Sequence, residues 1–506
     1  MAETVGTDVA GELARAGAEE QDRILEERAE AVAGLMADAF GRTHPEFAAK
    51  SGFARWQLAA LAVVSAAALA ALAAAPMAVL ALLSAVVTAY SLLHAVVMLA
   101  GLRGDGPLAG EGDVPLPDAE LPFYTVLVPA YREAGVIGGL VRHLAALDYP
   151  PDRLEVLVLV ERHDPGTARA VLAADPPPFV RLVRLPPGPP QTKPRSVNLG
   201  LLLARGELLV VFDAEDRPDP GQLRRVAARF AARGGELACV QAQLLFHNAT
   251  VNWLTRQFAM EYALRFTLAL PGLVRLGMPV PLGGTSNHFR TATLRAVGGW
   301  DAWNVTEDAD LGMRCAAMGH RTETIGSVTW EEALGAVRPY VRQRTRWFKG
   351  FLLTTVVHTR RPLRTVRRFG VRGLVTLLGI VAGAAVTSFV QPLLAVLTLI
   401  GLCGLSWAPA GAGLLLPSVA AQAVAVLAWT ATTFTAARRA GLGAPWHALL
   451  TPLSSVLWWF AAWRAVHQLV FSRFSWEKTP HGTPPGTPPG TPPGTPPGTP
   501  PGTGVS

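Results

Sequence analysis

Leu208-Leu209-Val210-Val211-Phe212-Asp213-Ala214-Glu215-Asp216 is an apolar run that ends abruptly in three carboxylates. Five apolar residues rich in valine and leucine, with no proline or glycine among them, have the length and composition of a buried strand. Two further runs share that character, Thr125-Val126-Leu127-Val128 and Val156-Leu157-Val158-Leu159-Val160. Helical patterns over Ile137–Leu147 and Gly221–Ala232 alternate with them. Alternating strands and helices predict an α/β domain of Rossmann type, built on a mostly parallel sheet with helices on both faces. Such sheets bind ligands at the carboxyl ends of their strands. Glu161 and Asp213 each directly follow a strand, where a nucleotide is expected.

Outward from this domain the chain turns apolar on both sides. Its 506 residues exceed one ordinary domain, and half are hydrophobic, the balance of a membrane protein. Residues 1–55 are polar and rich in Ala and Glu, expected to be a partly helical, solvated segment without a secretory signal, since the first apolar run begins near Trp56. Residues 56–102 suit two spans of about 20 residues folded as a hairpin, with Pro76 between them. A Gly/Pro/Asp-rich linker covers 103–120, and the α/β domain covers 121–360. Residues 361–372 are strongly basic and predict a helix lying along the membrane surface. The region 373–471 is a second membrane block. There Gly373–Cys403 reads as one helix kinked at Pro392, which keeps Arg438 and Arg439 on the basic side. Trp446–Phe471, interrupted by Arg464 and His467, could span, re-enter or lie in the interface. The end, 472–506, is rich in Pro, Gly and Thr, repeats Gly-Thr-Pro-Pro from Gly482, and predicts an extended, coreless tail.

Charge and cysteine content exclude several classes. The net charge of +7 is concentrated in Arg360, Arg361, Arg364, Arg367, Arg368 and Arg372, beside an apolar segment. That placement fits the cytoplasmic face and anionic lipid, not nucleic acid. Cys239, Cys315 and Cys403 are too far apart for a zinc or disulfide pattern. No HExxH, GxSxG or GxxxxGK motif is present, which argues against zinc-protease, serine-hydrolase and P-loop chemistry.

Five groups of residues carry candidate chemistry. Asp213, Glu215 and Asp216 at a strand end could hold a magnesium or manganese ion, which needs only one or two carboxylates beside phosphate oxygens and water. An acidic turn ahead of the helix near Pro220 accounts for one of these acids but not three. Thr306-Glu307-Asp308-Ala309-Asp310 precedes a helix, with Thr306 as a candidate N-cap; equally, a carboxylate here could act as general base. Lys193 and Arg195, in Gln191-Thr192-Lys193-Pro194-Arg195, could meet phosphates or be ordinary surface charges. Gly283-Gly284-Thr285-Ser286-Asn287-His288 reads either as a turn or as a backbone that lets a ligand approach. His288 and His163 read as structural. Finally, Gln343-Arg344-Thr345-Arg346-Trp347 offers a donor, a fixed charge and a flat apolar face beside the membrane.

In order along the chain, Val128-Pro129-Ala130-Tyr131-Arg132-Glu133, Glu161, Lys193, Asp213-Ala214-Glu215-Asp216, Thr306-Glu307-Asp308 and Gln343-Arg344-Thr345-Arg346-Trp347 resemble the processive membrane glycosyltransferases of family 2, the cellulose, chitin and hyaluronan synthase group. The phrases Phe212–Pro220 and Pro281–Phe289 look like the bacterial branch that includes phage-adsorption protein B. The resemblance covers about Leu121 to Gly350. It implies inverting transfer from a UDP-sugar to a growing extracellular polysaccharide, coupled to export. By the same resemblance Asp308 is the general base, and Asp213 with Glu215 or Asp216 holds a divalent cation. Glu133, Glu161 and Lys193 bind the nucleotide-sugar, with Glu161 standing where the family tends to have an Asp that meets the uracil ring. Gln343, Arg346 and Trp347 border the active site, Arg346 near the diphosphate and Trp347 stacking on the acceptor. The implied setting is the bacterial plasma membrane, multi-pass, with the catalytic domain cytoplasmic, and with membrane lipid and accessory export proteins as partners. Two rival readings use the same residues: a non-processive transferase acting on a lipid phosphate carrier, and an inactive membrane scaffold or receptor.

Overall fold

The computed structural model describes residues 2–103, 113–404, 412–475 and 477. Half of the expected 103–120 linker, residues 104–112, and all of the Gly-Thr-Pro-Pro repeat lie outside the described residues. Eight strands form one sheet: β1 (Tyr124–Ala130), β2 (Leu154–Glu161), β3 (Val180–Leu185), β4 (Leu208–Val211), β5 (Arg217–Pro218), β6 (Leu237–Phe246), β7 (Asn287–Arg290) and β8 (Arg321–Glu331). Their order is β3-β2-β1-β4-β7-β6-β8-β5. Strands β3, β2, β1 and β4 run parallel, as do β6 and β8, whereas β7 is antiparallel to both neighbours and β5 to β8. Between β1 and β4 the winding reverses, which opens a crevice at their carboxyl ends.

Alternation along the strands builds two cores. Val126, Val128, Val156, Val158 and Val210 face the helices Ile137–Ala145 and Gln222–Arg233. Leu127, Leu157, Leu159, Leu209 and Val211 face the other way, onto Val197, Leu199 and Leu201 of the helix Lys193–Leu203. Because two antiparallel pairings restore direction, β6 and β8 run the same way as β4. Their carboxyl ends, and the loop that enters β7, therefore open on the same edge as Asp213.

The N-terminal segment differs from the solvated one expected. Its helices Ala2–Arg15, Ala18–Glu27 and Ala29–Thr43 fold onto the domain, burying Val9, Leu13, Leu25, Val32 and Met36 against the second core. The reason is an apolar stripe at helical spacing, hidden in a polar composition. Arg181 of β3 anchors it through Asp22 at 2.6 Å.

Four helices among the described residues are long and apolar enough to cross a membrane: Arg55–Ala74, Pro76–Leu102, Pro362–Leu402 and Gly413–Arg439. Pro76 starts the second, a first-turn position that proline tolerates. The chain stays helical through Pro392, so this stretch is continuous from Gly383 to Leu402. The basic stretch 361–372 begins at the N-cap residue Arg361 and continues in the helix Pro362–Leu374, which breaks at Gly370, where φ is 58°. Thr451–Phe471 is a helix that packs against Val337–Thr359, joined by Phe348, Ala461, Ala462 and Ala465.

Leu25→Ala should loosen the N-terminal helices by about 2–5 kcal/mol, the usual cost of emptying a buried leucine site. Limited trypsin digestion of the detergent-solubilised chain should then cleave faster at Arg23 and Arg28. A rate equal to that of the parent chain would return this segment to the solvated class.

Candidate active site

The turn after β4 brings its acids to the crevice in different ways. The backbone N–H of Asp213 donates to Asp216 Oδ2 at 2.8 Å, and the Thr285 hydroxyl donates to the same oxygen. Asp216 is fully buried and stands behind the turn, whereas Asp213 and Glu215 line the cleft. Of the two candidates left open as partner to Asp213, Glu215 therefore faces the ligand space. Asp216 is a brace that holds Asp213 in place. Its removal from solvent, with Asp213 and Glu215 nearby, pushes the Asp216 carboxyl well above the usual aspartate range.

Lys193 opens the helix Lys193–Leu203 and reaches across to this turn. Its Nζ donates to Asp213 Oδ1 and, at 2.7 Å, to the carbonyl of Gly284. Burial works against its charge, but Asp213, Glu307 and Asp308 outweigh it and raise the pKa. Arg195, two residues on, is no surface charge. It is fully buried, and its Nη1 donates to Glu161 Oε1 at 2.9 Å. Glu161 thus lines the cleft at the end of β2 while one of its oxygens is engaged. Glu133 lines the same cleft, and its backbone N–H donates to the Thr167 hydroxyl at 2.9 Å. Asp164 caps the helix Pro165–Ala173 by accepting from Thr167 N–H at 3.2 Å.

Asp308 enters from the opposite wall, in the first turn of the helix Glu307–Ala317. Thr306 is the N-cap residue by position, but its side chain makes no cap bond. Gly284 approaches Asp308 so closely that a Cβ on it would lie 3.2 Å from Oδ2. Burial raises the Asp308 carboxyl above the usual range, against the pull of the Ala309 N–H, Lys193, Arg265 and Arg346. Glu307 is pushed up to about 7, first by burial and then by Asp308. Asp310 is turned away from the cleft. Its Oδ1 meets His358 Nε2 at 2.9 Å, and it pairs with Arg314 at 3.3 Å. His288 sits inside the sheet between the Tyr124 hydroxyl and Gln222, and burial lowers its pKa to about 3.

The helix Val337–Thr359 sorts its motif by face. Gln343, Arg346 and Trp347 line the cleft, together with Phe351 one turn later. Arg344 points elsewhere, into a cage where its guanidinium lies 4.8 Å from the Phe258 ring centre, 5.2 Å from Tyr340, 4.1 Å from Trp347 and 5.5 Å from Trp458. Glu261 neutralises it and also accepts from the Tyr340 hydroxyl at 2.6 Å. One face of Trp347 is thereby held by a cation before any ligand arrives. Gly350 presses on Thr306 so tightly that a Cβ would lie 2.2 Å from Oγ1. The two motifs are packed against each other, backbone to side chain.

Of the charged residues lining the cleft, three were not expected from sequence, Arg265, Glu331 and Glu332. Arg265 comes from the π-helical turn Leu264–Ala269 and donates to the Pro281 and Leu282 carbonyls at 3.1 Å. Glu331 ends β8, where burial and then Asp216, Glu215 and Asp213 push its carboxyl well up. Its position at the end of the strand-forming run Val328-Thr329-Trp330 is the same signal that marked Glu161.

Among the described residues lining the cleft, eight are carboxylates (Glu133, Glu161, Asp213, Glu215, Glu307, Asp308, Glu331, Glu332) and three are cations (Lys193, Arg265, Arg346). This surplus, made of hard oxygen donors, fits a divalent cation that arrives with phosphate. No closed group of three or more His, Cys, Asp or Glu ligands exists among the described residues. Asp213 and Glu215 would supply two ligands, leaving other positions to diphosphate oxygens and water.

Comparison with known proteins places this cleft in context. Residues 122–350 match the family described as "Glycosyltransferase like family 2". The beta-monoglucosyldiacylglycerol synthase of Synechocystis sp. is 30% identical over 268 residues, which are 51% of this chain and 53% of that protein. "Probable glucomannan 4-beta-mannosyltransferase 7" of Oryza sativa subsp. japonica is 27% identical over 257 residues, 48% of this chain and 43% of that protein. The chain thus spans about half the length of the curated relatives it matches. The solved structure of the mannosyltransferase PcManGT from Pyrobaculum calidifontis, in complex with GDP-Man and Mn2+, superposes with a TM-score of 0.52. It is 20% identical, covering 77% of this chain and 98% of that one. The shared fold is the α/β sheet described above.

The Arg344 cage makes a separable prediction. Arg344→Met leaves Glu261 buried without its cation and should destabilise the chain by about 3–5 kcal/mol. Adding Glu261→Gln should recover more than half of that loss, read as the melting temperature in detergent. A double variant no better than the single one would contradict the pairing.

Proposed function

We propose that this chain, whose residues 122–350 form a domain of glycosyltransferase-like family 2, transfers a hexosyl group from a nucleotide-sugar to an acceptor hydroxyl at a membrane surface. One observation carries the reading. Lys193 bridges Asp213 and the Gly284 carbonyl, and Gly284 leaves no room for a side chain beside Asp308, so a candidate diphosphate site and a candidate base share one small space. Asp308 takes the proton of the acceptor hydroxyl as that oxygen attacks the anomeric carbon. The bond from that carbon to the phosphate oxygen breaks, the nucleoside diphosphate leaves, and the configuration inverts. Burial raises the basicity of Asp308, which suits proton abstraction near neutral pH. Lys193 and Arg346 offset charge on the leaving diphosphate from fixed positions. A magnesium or manganese ion held by Asp213 and Glu215 would supply further neutralisation of that diphosphate. Glu133 and Glu161 border the nucleotide end, with UDP as the expected carrier.

The acceptor we favour is a growing glycan, in line with the processive, phage-adsorption-like resemblance. Gln343 and Trp347 would hold its terminal sugar, and the apolar helices would lead it across a bacterial plasma membrane, with the α/β domain on the cytoplasmic side. A lipid acceptor is the second reading. It is favoured by the aromatic wall of Phe258, Tyr262 and Phe266, and by the similarity to a synthase named for a glucosyl lipid.

Asp308→Asn in the purified full chain should lower nucleotide release from the donor sugar by about 10²–10⁴-fold, the usual weight of a general base. Binding of the nucleoside diphosphate should be retained. Release at the parent rate would remove Asp308 from the reaction. Product analysis in vesicles separates the acceptors: long glycan supports the polymer reading, and single-sugar lipid adducts alone end it.

A further inference from the structure

Away from the cleft, a second cavity of about 220 Å³ opens between three elements: the loop 45–51, the end of the helix Val337–Thr359 and the helix Pro362–Leu374. Its lining is basic. Arg360, Arg361, Arg364 and Arg368 contribute four guanidinium groups, against the single carboxylate of Glu46. Arg368 already neutralises that carboxylate at 3.2 Å. Arg360 is built in. Its Nε donates to the Gly52 carbonyl at 2.8 Å and its Nη1 to the Ala48 carbonyl at 2.9 Å, while its Nη2 is buried with no hydrogen-bond partner. Arg361 and Arg364 are exposed, with no carboxylate partner among the described residues. A buried donor without an acceptor is costly, and uncompensated arginines at one cavity repel each other. An anion with several acceptor oxygens in the cavity relieves that repulsion.

We infer that this cavity binds the phosphate group of an anionic membrane phospholipid. Phosphate matches guanidinium donors in geometry and charge. The same helix exposes Leu363, Val366 and Val371 at 78%, 52% and 78%, and it runs on into the apolar helix that ends at Leu402. An amphipathic helix with arginines on one side and bare aliphatic side chains on the other rests at the headgroup level. A lipid satisfies both sides at once, whereas free phosphate satisfies only the arginines. The site also touches the catalytic helix. His358 lines the cavity and contacts Asp310, two residues beyond Asp308.

Native mass spectrometry of the full chain in nonionic detergent tests this, with dioctanoyl phosphatidylglycerol, dioctanoyl phosphatidylcholine and inorganic phosphate titrated separately. Phosphatidylglycerol should bind most tightly. Arg361→Ala with Arg364→Ala should weaken it by about thirtyfold, a factor of roughly five for each arginine beside an anionic headgroup. Arg367→Ala with Arg372→Ala removes the same charge from the same helix outside the cavity, and should change the affinity by no more than about threefold. Equal losses in the two double variants would replace the site with diffuse surface charge and overturn the inference. Phosphatidylcholine binding as well as phosphatidylglycerol, or inorganic phosphate matching it, would overturn the lipid assignment.

Discussion

The crowding of carboxylates around Lys193 is the constraint on which the rest of the molecule depends. Buried like charges raise one another's pKa, and only a nearby cation lets them stay ionised. Lys193 serves Asp213 directly and feels Glu307 and Asp308, so a single ammonium ties two acidic motifs from distant parts of the chain. The remaining surplus, with Glu215 and Glu331 both pushed up by burial and then by their acidic neighbours, is an arrangement that folding alone does not favour. A site of this kind stores unfavourable charge that a cation and a diphosphate would relieve together.

The scaffold answers that demand from both ends. The winding of the sheet brings the ends of β2, β4 and β8 and the loop before β7 to one edge, so acids far apart in sequence meet. Gly350 against Thr306 locks the Asp308 helix to the helix that carries Gln343, Arg346 and Trp347. Beneath them, Arg344 and Tyr340 of that same helix meet Glu261 of the helix Trp253–Ala263, and the Tyr340 hydroxyl accepts from Trp458 Nε1 at 2.7 Å. The cleft and the helix Thr451–Phe471 are therefore packed together, and the position of Trp347 is set in part by residues outside the cleft.

The sequence reveals what is local and hides what is not. Strands β1, β2 and β4 are legible because each is a buried apolar run, and Asp213 and Glu161 are legible because they follow such runs. Asp308 and the 343–347 motif stand out by resemblance. Arg265 was missed because it sits in a helix with no motif of its own and reaches the site only through a π-helical turn. Glu331 was missed because its neighbours are contributed by β4, across the sheet. That Glu215 lines the cleft while Asp216 stands behind the turn could not be read from spacing, since it depends on which one meets the Thr285 hydroxyl, 69 residues on from Asp216. The N-terminal helices look solvated by composition, yet a sparse apolar stripe suffices to dock them.

Calorimetric titration of UDP and GDP into the full chain, with and without Mn2+, tests the central claim most directly. A cleft with surplus carboxylates should bind one of these diphosphates weakly alone and at least about tenfold more tightly with the cation, a gain of roughly 1.4 kcal/mol or more. Glu215→Gln should abolish most of that gain. Binding with the same affinity in the presence and absence of the cation, or no binding of either nucleotide, would contradict the account.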